Sequence, residues 1–311
     1  MARLRLSGAA ALIAGLALVS GCASLGPVRP APPRPPIVAP PPEVLAVDPL
    51  SADVATFFAE VEARRVAQGL MRRDPGAERA LAPALLAETY VAVALRDEAP
   101  SGGVSHASVL RRWAAPVRYA LEFGATVPQA TRAADRAQVT ALAGRLAAAS
   151  GHPISLAPAG AAGNFHVLVL SESERRGIAP RLRTLVPGID ERAIRLITDL
   201  PRETFCMVIA FSRDGSALYS EAVAVVRAEH PDLTRLACYH EELTQGLGLA
   251  ADSDMAHPSI FNDDQEFALI TDHDLLLLRM HYDPRLSPGM TESRARPVVF
   301  SIASELVGGA I

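Results

Sequence analysis

The stretch that decides the fold is Cys238 to Asp254, which reads C-Y-H-E-E-L-T-Q-G-L-G-L-A-A-D-S-D. It lies at the end of a helix predicted over Leu233 to Leu249. Glu241 and Gln245 are four residues apart, so a helix presents both on one face. Two interpretations stay open. The pair takes a hard cation through its oxygens, or it is a hydrogen-bonded pair that satisfies a buried helix.

The same stretch resembles the H-E-x-x-H-x-x-G-L-x-H helix of the zincin metallopeptidases. In the register that fits best, the slots for His, Glu, His, Gly and Leu hold Glu241, Glu242, Gln245, Gly248 and Leu249. The slot of the third ligand falls on Ala251. An amide and a methyl group do not replace imidazoles around Zn²⁺. The resemblance therefore implies a degenerate, matrixin-like zincin in which Glu242 keeps the position of the general base.

A second register begins at His240, because His240 and Glu241 supply the first two letters of the zincin motif. The second ligand position then falls on Thr244, and the Gly-Leu pair is out of step. His240 and Asp252 remain as an alternative metal pair, although their spacing matches no known ligand pattern.

Further motifs widen the resemblance. The turn Ser259-Ile260-Phe261-Asn262 has Phe261 at the place of the matrixin methionine, and a helix with Thr271 as its N-cap follows. The run from Tyr282 to Met290 reads Y-D-P-R-L-x-x-G-M. Together with E-E-L-T-Q-x-L-G-L, these motifs are similar to a family of proteobacterial lipoproteins and secreted proteins, known as a domain of unknown function. The resemblance implies a zincin-like fold and no established activity.

The N-terminus has the pattern of a bacterial export signal. Residues 1–21 combine Arg3 and Arg5 with an apolar run, too short to predict a membrane span. The segment ends in V-S-G-C and so resembles a lipobox, which implies cleavage before Cys22 and lipidation, including palmitate, at that residue. Residues 22–50 form a proline-rich tether. We expect an outer-membrane lipoprotein on the periplasmic face, held by its lipid anchor.

Charge and cysteine content bound the partners and the compartment. A formal charge of -4 gives no basic surface for nucleic acid, so no nucleic-acid partner is expected. Cys206 and Cys238 remain after Cys22 is lipidated. They form one disulfide or two buried thiols, and the oxidising compartment favours the disulfide.

The rest of the chain predicts an α+β, zincin-like fold: a mixed twisted sheet with a long helix and the motif helix. Residues 51–100 form a helical lead-in with Ser51 as N-cap, residues 109–290 the zincin-like domain, and residues 291–311 a C-terminal tail. Two strands joined at Arg213 to Ser216 form a hairpin. The second strand, with Tyr219, Glu221 and Val223, is the expected peptide-binding edge.

Two functions follow from these residues. The first is a non-catalytic pseudopeptidase, with no cofactor expected, that binds a peptide or an envelope protein or has a structural role. The alternative is an active metallohydrolase with a non-standard Glu241, Gln245 and Asp252 site and Glu242 as base. Zinc is expected only under the alternative.

Overall fold

The structure is a computed structural model that describes residues 49–77, 81–96, 106–262 and 264–308. The predicted signal segment, the predicted lipidation site Cys22 and the predicted tether up to residue 48 lie outside the described residues. Within these ranges no helix is long and apolar enough to cross a bilayer.

The predicted lead-in consists of α1 (Pro49–Ala67) and α2 (Pro83–Ala94). Val54, Phe58 and Val61 form the buried stripe of α1. The prediction of Ser51 as N-cap is wrong, because α1 begins at Pro49. The Ser51 hydroxyl lies inside the helix and donates to Glu229 Oε1 over 2.7 Å.

Six strands form one sheet: β1 (Arg112–Trp113), β2 (Val117–Phe123), β3 (Ile154–Leu156), β4 (Phe165–Leu170), β5 (Cys206–Ser212) and β6 (Leu218–Arg227). Strands β6, β4, β2 and β3 run parallel in that order, and β1 pairs with the first residues of β6. Strand β5 is antiparallel to β6, so the predicted hairpin is confirmed.

The edge strand is not the one that the sequence indicated. Strand β6 pairs with β4 along one side and with β5 along the other, so Tyr219, Glu221 and Val223 do not form a free edge. Val223 has no exposed surface. Among the described residues β5 pairs with β6 alone, and its outer side is therefore the edge of the sheet.

In the described part of the chain, seven helices follow the lead-in: α3 (Gln129–Ser150), α4 (Glu172–Arg176), α5 (Ala179–Leu185), α6 (Glu191–Thr198), α7 (Asp232–Gln245), α8 (Asp272–His281) and α9 (Glu292–Gly308). The long helix α3 and the motif helix α7 pack on one face of the sheet, together with α2, α8 and α9. Helices α5 and α6 pack on the other face. The molecule is thus a mixed α/β fold with a largely parallel sheet and a helical N-terminal segment.

Most of the predicted C-terminal tail is a helix, α9 (Glu292–Gly308). Ala295, Val299 and Ile302 are buried, and α9 packs along α2. Pro297 lies inside the helix and interrupts the usual sequence signal of a helix. The α2–α9 pair shows that the second half of the lead-in is part of the main core.

Candidate functional site

A cleft of about 740 Å³ lies between the edge strand β5 and the motif helix α7. Helix α7 contributes Glu241, Glu242 and Gln245, and β5 contributes every residue from Cys206 to Ala210. Asp252 lines the same cleft from the loop after α7. The structure therefore brings Glu241, Glu242, Gln245 and Asp252 to one concave surface.

A disulfide joins the two walls of the cleft. Cys206 is the first residue of β5 and Cys238 lies one turn before Glu241 on α7. Their sulfur atoms are 1.97 Å apart, so the predicted pairing is confirmed. Both residues line the cleft, and neither offers a thiolate to a metal because both are oxidised.

Three aromatic side chains hold the C-terminal end of α7, where helix carbonyls lack partners in the helix. Trp113 Nε1 donates to the Gly246 carbonyl over 2.8 Å. The Tyr119 hydroxyl donates to the Leu243 carbonyl over 3.1 Å. The Tyr282 hydroxyl donates to Leu247 over 3.0 Å. These bonds fix the turn that carries Glu242 and Gln245.

The motif requires glycine at position 248. Its φ is +125°, and a Cβ there would stand 2.2 Å from His281 Nε2 and 2.4 Å from the Arg111 carbonyl. His281 is fully buried and bonds Tyr90 and the Arg111 carbonyl. Burial lowers the pKa of His281 to about 3, so the ring stays neutral. Only glycine fits at this position.

The loop after α7 directs Asp252 at the motif helix. Gln245 Nε2 donates to Asp252 Oδ1 over 2.8 Å. Ser253 N donates to the Phe261 carbonyl over 2.8 Å, which ties this loop to the S-I-F-N turn. Ala251, the expected third ligand slot, is buried and donates its N–H to Val93, whereas its neighbour Asp252 lines the cleft.

The S-I-F-N turn is anchored by one carboxylate of α8. Asp274 accepts from Ser259 Oγ over 2.5 Å and from Ile260 N over 3.2 Å. It also accepts from Thr271, the predicted N-cap, in a reciprocal capping box. Burial raises the pKa of Asp274 to about 6. The S-I-F-N turn and the start of α8 therefore form one support for the Asp252 loop.

The alternative pair of His240 and Asp252 does not come together at the cleft. His240 is buried on another side of α7, and its Nδ1 accepts from Ile270 N over 2.9 Å. Burial lowers the pKa of His240 to about 3, which leaves the imidazole neutral. Asp252 is bonded to Gln245 instead. His240 directly precedes Glu241, and one residue along a helix rotates the side chain by about 100°, so the imidazole points away from the cleft that Glu241 lines.

The donors around the cleft do not fit a zinc site. Carboxylate oxygens of Glu241 and Glu242 lie within 4.8 Å of one another and of Cys206 Sγ, but that sulfur belongs to the disulfide. Gln245 contributes an amide, and no histidine in the described part of the chain lines the cleft. Zinc prefers imidazole and thiolate ligands, which this donor set lacks.

The cleft carries an excess of acidic groups. Glu203, Glu241, Glu242 and Asp252 line it, against Arg65 from α1. The Arg65 guanidinium lies 4.4 Å from the centre of the Phe205 ring and donates to Gln265 over 3.2 Å. Burial lowers the pKa of Arg65, and the charge of Glu241 opposes that shift. Sequence reasoning missed Arg65, because α1 gave no motif that pointed to the cleft.

The cleft thus lies between an edge strand and a helix of a mixed α/β fold. Residues 83–301 match the family described as "Protein of unknown function (DUF2927)", and the chain belongs to this family. The match begins at the start of α2 and ends inside α9. Comparisons with curated proteins and with solved structures found no match.

Proposed function

We propose that this protein is a zincin-like, non-catalytic module that binds an extended peptide along β5. The observation that carries the proposal is the position of the sheet edge: residues Cys206 to Ala210 line the cleft opposite α7. The proposal moves the peptide-binding strand from β6 to β5, because β6 is paired on both sides.

An edge strand provides half of a β-ladder. The outward N–H and C=O groups of β5 suit a ligand backbone, while the side chains on either side of the strand confer specificity. The seven residues of β5 are enough for a short strand to pair. Every residue from Cys206 to Phe211 is only half-buried, which is consistent with access from the cleft.

The donor set supports binding without cleavage. A zincin activates its water on a metal held by imidazoles, with a glutamate as base. Glu242 keeps the position of that base, but Gln245 is bonded to Asp252 and Glu241 offers a carboxylate. The residues that remain therefore shape and charge a cleft and lack the ligands that would hold zinc.

The test uses the full chain, purified in detergent, and a phage library of random seven-residue peptides. Selected peptides should slow hydrogen exchange in residues 206–212 and leave residues 154–156, at the other edge of the sheet, unchanged. N-methylation of alternate peptide amides should weaken binding at least tenfold in one of the two alternating patterns. Binding that neither protects β5 nor responds to N-methylation would contradict strand addition.

The metallohydrolase alternative is favoured by one observation, the approach of the Glu241 and Glu242 carboxylates within 4.8 Å of each other in the cleft. Metal analysis of the purified chain separates the two functions. Stoichiometric zinc, and peptide cleavage that Glu242→Gln abolishes, would establish the alternative. We expect no stoichiometric zinc, and no peptide cleavage by either the unaltered chain or Glu242→Gln.

We also propose that the domain is displayed on the periplasmic face of the outer membrane through a lipid on Cys22. The support is the lipobox-like sequence V-S-G-C and the proline-rich segment after it. Labelled palmitate supplied to an expressing bacterium should be incorporated into the chain and lost in Cys22→Ala. Equal labelling of both proteins would overturn this assignment.

A further inference from the structure

We infer that the cleft selects a peptide in which basic and apolar side chains alternate, and this inference rests on the proposed function. The structure places an acidic wall on one side of the β5 edge and an apolar wall on the other. A strand added to β5 would present its successive side chains to these two walls in turn.

The two faces of β5 are distinct. Cys206, Val208 and Ala210 pack with the core that contains α7. Met207 and Ile209 pack with the core that contains α6. Because neighbouring strands share the same pleat, a ligand strand beside β5 has one set of side chains toward α7 and the alternate set toward α6.

The wall toward α7 is anionic. Glu241, Glu242 and Asp252 line it, and the cation of the cleft, Arg65, lies over the Phe205 ring at the Cys206 end of β5. A partly enclosed cleft of one charge sign concentrates ligands of the opposite sign. Lysine or arginine side chains therefore complement this wall, and acidic side chains are repelled.

The wall toward α6 is largely apolar. Leu196, Leu200 and Pro201 line the cleft there beside Ile209, and Glu203 follows them on the segment that leads to β5. Leu196 is 49% exposed although it is a large aliphatic residue on the same helix as the buried Ile194 and Ile197. An apolar ligand side chain would cover Leu196 and remove both apolar surfaces from water. Charge on one wall and exposed leucine on the other together specify the alternating pattern.

The experiment measures fluorescence anisotropy of labelled seven-residue peptides with the full chain in detergent. The probes are K-V-K-V-K-V-K, E-V-E-V-E-V-E and K-S-K-S-K-S-K. We expect the first to bind at least tenfold more tightly than either of the others. Its affinity should fall as sodium chloride rises from 50 to 500 mM, because salt screens the charge term.

Variants assign each preference to its wall. Glu241→Gln combined with Asp252→Asn should weaken K-V-K-V-K-V-K at least fivefold and reduce its salt dependence. Leu196→Ser should weaken the same peptide about threefold or more and leave K-S-K-S-K-S-K unchanged. Glu191→Gln is the matched control: it removes an exposed carboxylate from α6 that pairs with Arg183 away from the cleft, and should change neither affinity.

The outcomes distinguish failure of the alternating preference from failure of peptide binding itself. Equal affinity for the basic and acidic peptides, with β5 still protected from exchange, would overturn the alternating code and leave peptide binding intact. Failure of all three probes and of the phage-selected peptides would overturn both. Equal effects of Glu191→Gln and of the cleft variants would also overturn the assignment of charge selectivity to the cleft.

Discussion

The two edges of the sheet differ in length and in what borders them. Strand β3 has three residues, packs against α3 and is followed closely by Pro158. Strand β5 has seven residues and opens on the cleft beside α7. Short edges and nearby prolines are common protections against unwanted strand pairing. The edge of β5 is longer, as the proposed addition of a ligand strand requires.

The surroundings of the two edges differ in charge as well. A cavity of about 470 Å³ beside β3 is lined by Arg136 and by small or apolar residues, without a carboxylate from the described part of the chain. The cleft beside β5 has several carboxylates and a disulfide in its wall. Among the described strands, a long accessible edge therefore lies beside a cluster of carboxylates at β5 and not at β3.

The largest expected effect concerns the disulfide that ties β5 to α7. Cys206→Ser with Cys238→Ser should lower the free energy of unfolding by about 3–4 kcal/mol, because the bond closes a loop with a sequence separation of 32. Urea denaturation measures the loss. Hydrogen exchange should quicken in β5 and stay unchanged in β3; equal quickening of both edges would break the comparison.

A smaller effect on stability is expected from the pH dependence of His230, which bonds the residue before β5. His230 Nε2 donates to the Phe205 carbonyl over 2.8 Å, and its ring packs against the rings of Phe58 and Phe205. Burial lowers the pKa of His230 to about 3, with Arg227, Arg235 and Arg65 adding to the shift. The unfolded chain takes up the proton near pH 6.5 and the folded chain does not. Stability is therefore present above pH 6.5 and is lost as the pH falls toward 3.

We expect this histidine to contribute a loss of about 2 kcal/mol between pH 6.5 and pH 5, at about 1.4 kcal/mol per pH unit. His230→Gln should remove that part of the slope in urea unfolding at several pH values. His152→Gln near β3 is the control: its ring is half-buried, and its pKa is lowered chiefly by burial. A slope that His152→Gln changes as much as His230→Gln would contradict the assignment to the β5 edge.

Tyr119 on β2 bonds both the end of β3 and the motif helix α7. Its carbonyl accepts from Ala157 N beside β3, and its hydroxyl donates to Leu243 on α7. Tyr119→Phe should cost about 1–2 kcal/mol, because a buried carbonyl loses its partner. Thermal or urea unfolding measures this loss, and Tyr282→Phe at the Leu247 carbonyl should behave alike. A neutral result for both would show that the end of α7 does not depend on these bonds.

The smallest effect is expected at the apolar wall. Leu196→Ser should change the free energy of unfolding by no more than about 0.5 kcal/mol, since the side chain is half-exposed. Urea unfolding of the variant provides the comparison. A loss of several kcal/mol would mean that Leu196 serves the core, and its exposure would then say nothing about a ligand.

Local patterns in the sequence predicted much of the fold. The hairpin of β5 and β6 followed from its turn residues. The disulfide followed from counting cysteines. Each of these features depends on neighbouring residues or on composition, so a single sequence contains the necessary information.

The order of strands and the contacts between remote segments could not be predicted from the sequence. Nothing in the alternation of Tyr219 to Val226 tells whether one or two strands lie beside it, so the edge was assigned to the wrong half of the hairpin. The same limit hid Arg65, which reaches the cleft from a helix far away in sequence. At the motif helix, the spacing predicted that Glu241 and Gln245 share one face. The hydrogen bond between Gln245 and Asp252 depends on the path of the loop, which the spacing does not give.

Helix α1 precedes the range that the family match covers, yet it contributes to the cleft. Glu62 caps the start of α7 by accepting from the Thr234 N–H and hydroxyl, and Arg65 lines the opening. Relatives that share only the matched range would need another group to complete this rim. In this chain, residues upstream of the matched domain thus supply both a helix cap and a positive charge to the cleft.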